Sequence, residues 1–245
     1  MNAARRPLLA LALAAVALPA HAGPPFVVDD PEPLEPGGWE VYVASQLSFE
    51  GGLAGPAPLL EVNHGAWRNV HLHLAMPLAL SRPDGGPARW GPGDLEAGAK
   101  LRFVEEDEEG GWRPQVGVFP IVTLPTGSEA RGLGEGAATV FLPLWLQKGV
   151  GSWTVYGGAG WRTALRKGAS GAWFGGAVVQ RHLGPVLLGV ELFHETGAEG
   201  EAGTTRGGVG AVWDVGEKVH LLGAVRRSLA GAAAPDAYLG LLLTP

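Results

Sequence analysis

Between Gly93 and Val104 charged and apolar residues alternate: Asp94, Glu96, Lys100 and Arg102 fall on one parity, and Leu95, Ala97, Ala99, Leu101 and Phe103 on the other. In an extended strand one parity is one face. Charges of both signs are then stacked along a single surface, which suits an ion-selective lining or a salt-bridged network better than covalent catalysis. Other alternating stretches add Gln115, Gln180, Glu195 and Arg226 to the same kind of face. The residues expected to line a pore are Glu61, Asn63, His71, His73, Asp94, Glu96, Lys100, Arg102, Arg162 and Glu191.

Competing chemistries are less complete. His71 and His73 share a face, with His64 across a short turn, and imidazoles so placed can bind zinc. No carboxylate at ligand spacing joins them, so they are read as lumen-lining, and neither metal nor cofactor is expected. The acidic run Glu105 to Glu109 reads as a solvated loop, with divalent-ion binding as its alternative. A nucleophilic serine would need a histidine at matching depth. Ser45 instead falls on an apolar face, and Ser81, Ser128 and Ser170 fall in loops. Glu195 with Glu199 is the one carboxylate pair suited to an outer-membrane protease. The chain is expected not to be an enzyme, and a barrel enzyme stays an alternative.

Elements that would position such faces follow from the two-residue period. From Asn69 to Ser81, Val70, Leu72, Leu74, Met76, Leu78 and Leu80 oppose His71, His73, Ala75, Pro77 and Ala79. From Trp39 to Glu50, and again from Ser152 to Thr163, aromatic residues bracket the apolar face, as the interfacial girdles of a membrane barrel require. Nine further segments complete an expected twelve strands: Ala57 to Ala66, Gly93 to Val104, Trp112 to Leu124, Ala137 to Lys148, Gly171 to His182, Val186 to Thr196, Thr204 to Asp214, Lys218 to Leu229 and Ala237 to Thr244. Most have the roughly 9 to 11 residues a tilted strand needs to cross a bilayer. Tight turns near Arg68, Gly149, Gly184 and Gly216 alternate with longer loops, the pattern of periplasmic turns and extracellular loops.

Composition agrees. Forty Gly and 20 Pro in 245 residues disfavour long helices, and the absence of Cys removes disulfides and thiolate metal sites. The reading is an all-β, transmembrane, antiparallel up-and-down barrel, against a soluble sandwich or soluble barrel whose outward faces would be less apolar. Residues 1–22, with Arg5 and Arg6, an apolar run and Ala20-His21-Ala22, read as a cleaved signal peptide. Residues 23–38 form a Pro-rich, acidic N-terminal arm expected in the periplasm or folded up into the barrel mouth, and 39–245 form the barrel. Losing Arg5 and Arg6 leaves 16 of the 18 basic residues against 24 acidic, a net of −8, and no basic patch suited to nucleic acid. The expected partners are outer-membrane lipids and lipopolysaccharide, the outer-membrane assembly machinery and small-molecule solutes. The expected function is passive diffusion of small solutes through a narrow polar lumen. An interior network that conducts nothing, or a binding barrel, is the other reading.

Several segments resemble a known family: Gly23-Pro24-Pro25-Phe26 followed by Asp29-Asp30-Pro31-Glu32-Pro33, then Leu60-Glu61-Val62-Asn63-His64-Gly65, Gly93 to Phe103, Phe119-Pro120-Ile121-Val122-Thr123-Leu124-Pro125-Thr126-Gly127 and Arg131-Gly132-Leu133-Gly134. These are similar to bacterial outer-membrane β-barrels described as transporters or porins and tied by name to the meta pathway of phenol degradation. The resemblance runs from Gly23 to about His194. It implies an outer-membrane location, a transport role and aromatic or hydrophobic solutes. The chain departs from such barrels in ending Leu241-Leu242-Leu243-Thr244-Pro245, where an aromatic residue is common.

Overall fold

A computed structural model describes residues 23–49, 51–107, 111–197 and 202–245. The expected signal peptide and Glu50, Glu108, Glu109 and Glu199 therefore lie outside the described residues. The strand segments are β1 (Trp39–Ser48), β2 (Gly52–Trp67), β3 (Val70–Pro83), β4 (Arg89–Pro92), β5 (Leu95–Val104), β6 (Gln115–Val118), β7 (Ile121–Leu124), β8 (Thr139–Val150), β9 (Trp153–Ala164), β10 (Ala172–Leu183), β11 (Val186–Glu195), β12 (Thr204–Gly216), β13 (Val219–Ala230) and β14 (Asp236–Leu243). Because β4 with β5 and β6 with β7 each form one interrupted stave, these 14 segments build twelve. The staves pair antiparallel with their neighbours, and Val41 opposite Leu243 joins β1 to β14 within the closed ring, in which the short β4 is paired on one edge, with β3.

The alternation seen in the sequence becomes inside and outside. Along β11, Leu187, Glu191 and Phe193 are buried in the interior, while Leu188, Val190 and Leu192 are exposed on the outer wall. The outer wall carries bare Leu and Val on nearly every stave. That surface is stable only against lipid. Trp39, Trp67, Trp153 and Trp213 mark the rim at the short turns, and Trp90 and Trp173 the rim at the long loops. The tight turn after Trp67 is made by Asn69, whose φ of 64° is the left-handed conformation that asparagine tolerates best among residues with a Cβ.

Two details differ from the sequence reading. Strand β2 begins at Gly52, not Ala57, because Pro56 and Pro58 are absorbed by a register shift between Pro56 and Leu59. The loop Pro125 to Gly136 is also more ordered than a loose connection. Its backbone N–H groups at Gly127 and Glu135 donate to Asp94, and the Arg131 guanidinium donates to the Trp90 carbonyl.

Candidate functional site

The interior is organised around the arm. It does not hang below the barrel: Pro25, Val28, Asp30 and Pro31 are fully buried within the wall. Proline-rich backbone cannot join the sheet, so its polar groups are met by lumen side chains. The Glu191 carboxylate accepts from Val27 N–H at 2.9 Å, and Arg226 donates to the Pro25 carbonyl at 2.8 Å. Lys100 donates to Asp29 at 3.0 Å and to Asp30 at 3.4 Å. Gln147 donates to Glu32 at 2.8 Å.

Glycines on separate staves make the space. A Cβ at Gly189 would stand 2.4 Å from the Phe26 ring, and one at Gly210 2.8 Å from it. Side chains there would expel the arm. Phe26 and Val28 join Phe119, Trp145, Tyr156, Phe174, Val178 and Phe193 in an interior apolar cluster. Burying the Phe26 and Val28 side chains contributes roughly 1.5 to 3 kcal/mol each.

On the side of the short turns lies a cavity of about 760 Å³. Pro24, Leu34, Tyr42, Phe119, Leu187 and Val212 supply its apolar lining, and Gly184, Pro185, Glu217 and Pro245 stand at its mouth. Of the residues expected to line a pore, Glu61, Asn63, His71, His73 and Lys100 all border this cavity. Asn63 donates to Glu61 at 2.9 Å, and His73 spans Asn63 at 2.8 Å and Glu96 at 3.1 Å. His71 accepts the Leu34 N–H at 3.5 Å.

The other expected residues are scattered. Glu191 sits higher, in a buried chain in which Arg226 bonds Glu191 at 3.1 Å and Asp236 at 2.7 Å, with Arg206 also on Asp236. Arg162 lies near the long-loop rim, 3.4 Å from Glu195 and over the Phe141 ring. Arg102 is tied at the opposite end to Asn69 and Gln115. Asp94 is spent on loop backbone. His64 does not line the lumen: it points outward and stacks on Trp39 with ring centroids 4.1 Å apart. The described part of the acidic run is paired, since Arg68 bonds Glu105 and Lys148 bonds Glu106 and Asp107. Hydrogen bonds from Asn69 and Arg68 hold the Glu105 carboxyl below its usual range. Among the described residues no group of three or more His, Asp or Glu is placed to hold a metal ion.

No family model and no curated protein matches the chain. Among solved structures it is similar to the COG4313 outer membrane channel from Pseudomonas putida F1, with a TM-score of 0.72 and 20% identity over 88% of this chain and 98% of that one. It is also similar to the translocator domain of the autotransporter NalP from Neisseria meningitidis, with a TM-score of 0.52 and 13% identity over 84% of this chain and 88% of that one. The fold is that of an outer-membrane β-barrel. At these identities the likeness speaks for the fold, and the chemistry rests on the interior just described.

The acidic arm gives that interior a pH dependence. Burial pushes the Asp30 carboxyl from its ordinary 3.8 up to about 8, against the downward pull of Lys100 and with the upward push of Asp29 and Glu32. A group whose pKa rises on docking favours the docked state most at pH below its ordinary value and loses that contribution as pH climbs through the raised one. Protease cleavage of the arm is therefore expected to accelerate as pH climbs from about 4 to about 8 and to level off above that, and Asp30→Asn is expected to flatten the profile. Equal cleavage rates across the range in the unaltered protein would refute it.

Proposed function

We propose that the protein is an outer-membrane channel through which small solutes diffuse passively, with the N-terminal arm as an internal constriction. The cavity of about 760 Å³ carries this reading, because it opens at the short-turn end and offers apolar and charged surface together. Its size suits a small organic molecule. A twelve-stave barrel is wider than the eight-stranded barrels that side chains alone can fill, yet narrower than sixteen-stranded porins. The resemblance to barrels named for phenol degradation makes aromatic or hydrophobic compounds the solutes of choice. The phenyl ring of Phe119 and the phenol of Tyr42 in the lining are compatible with them.

A second reading has its own support. The arm and the aromatic cluster fill so much of the middle of the lumen that the barrel could act as a plugged, binding structure. Conductance of the refolded protein in planar bilayers separates the two. Discrete openings are expected. Replacing Lys100 and Arg102 together with Glu is expected to shift ion preference toward cations, because like charges in a poorly screened lumen bias which ions enter. It also removes the ammonium that holds Asp29 and Asp30, so arm release should accompany the shift. Silence from the unaltered protein and from this variant would leave the plugged reading.

A further inference from the structure

At one height the stave of β6 and β7 is short of a hydrogen bond on both of its edges. Strands β6 and β7 keep a single register against β8, with Val118 opposite Leu144 and Ile121 opposite Phe141. Between those pairs Phe119 N–H reaches the Pro143 carbonyl at a long 3.4 Å. Pro143 has no N–H to return, so the Phe119 carbonyl lacks its ladder donor. On the other edge of the stave Ala99 N–H donates to the Pro120 carbonyl at 3.2 Å, and Pro120 likewise cannot answer Ala99. The stave has thus lost a bond on both edges within two adjacent residues.

Proline in a sheet belongs at edges and bulges. Pro56 and Pro58 obey that rule, whereas Pro120 and Pro143 stand where β8 meets β6 and β7 without a register shift. Their depth matters, because lipid offers no substitute partner for a bare carbonyl. Leu142, next to Pro143, lies opposite Trp161, which in turn lies opposite Trp173 of the long-loop girdle. The weak place therefore sits just inside the aromatic belt of the outer leaflet. On its lumen side stands Phe119, which also borders the cavity, with its ring held by the edge of His73 at 5.4 Å and the Lys100 ammonium at 5.3 Å. On its lipid side stand Val122, Leu142 and Leu144.

Resting on the channel reading, we infer that the stave of β6 and β7 is a lateral portal through which a small apolar solute passes between the lumen cavity and the outer leaflet. The side chains at its two ends, Phe119 in the lumen and Leu142 on the lipid face, are apolar. A solute taking it avoids the charged rim at Arg162 and Glu195. An ion has no reason to follow.

The chain has no cysteine, so a staple across the seam is clean. Val122→Cys with Val140→Cys places two thiols on directly opposed residues of β7 and β8. Val155→Cys with Val179→Cys makes a control staple across β9 and β10. Entry of N-phenyl-1-naphthylamine into cells producing each variant is followed by its fluorescence, and potassium chloride conductance is measured on the same purified protein. The oxidised seam staple is expected to slow protein-dependent dye entry about tenfold with conductance unchanged, reversibly on reduction, and the control staple to do neither. Pro120→Val with Pro143→Val restores both ladder donors and is expected to slow dye entry without any staple. Unchanged dye entry in the oxidised seam staple, or equal loss of dye entry and conductance, would overturn the portal. Seam-dependent dye entry without conductance would keep the portal and remove the ion-channel reading instead.

Discussion

Replacing Arg226 with Met should cost the barrel about 3 to 5 kcal/mol, the usual consequence of removing one partner from a buried ion pair. Arg226 is almost wholly buried and serves three acceptors: Glu191, Asp236 and the Pro25 carbonyl. Without it two carboxylates stay in a low-dielectric interior, and Arg206 reaches only Asp236. The arm also loses its anchor at Pro25. The measurement is the temperature at which the folded, fast-migrating band converts to the unfolded one on a denaturing gel. A conversion temperature within a degree or two of the unaltered protein would show that water enters and solvates the carboxylates, and that the network contributes little.

Deleting residues 25–34 should raise single-channel conductance severalfold while the barrel still folds. The wall is closed by strand pairing that does not involve the arm. The arm, by contrast, occupies the lumen between Lys100 on one side and Glu191 and Arg226 on the other. Its removal frees Lys100 from Asp29 and Asp30, so the widened path should also gain preference for anions. Gly189→Leu offers an independent route to the same state, since the new side chain would claim the place of the Phe26 ring. Unchanged conductance in both variants would mean that the aromatic layer of Trp145, Phe174 and Phe193, not the arm, sets the constriction.

Local pattern carried much of this protein. Period-two alternation with aromatic ends placed Trp39 and Trp153 on the outer wall and Glu61, His73, Lys100 and Glu191 inside, because a strand offers only two faces and lipid tolerates only one kind of residue. Turn residues such as Asn69 and Gly184 punctuated the staves. Parity alone gave no weight to Phe119, Trp145, Phe174 and Phe193, since an aromatic residue reads as lipid-facing until its neighbours on other staves are known. Nearness across the turn grouped His64 with His71 and His73, although His64 lies opposite the outward Leu72 and stacks on Trp39.

The alternation, the number of staves and the chemistry of each face are local properties, legible from residues one or two apart. What fills the barrel depends instead on contacts between staves. The place of the arm depends on Gly189 of β11 and Gly210 of β12 standing side by side, and on Glu191, Arg226 and Asp236 converging from three staves. The weak seam likewise exists only because Pro143 of β8 falls beside Phe119 and Pro120. Such coincidences are set by strand register around a closed ring, where residues far apart in the chain become neighbours, and no local period encodes them.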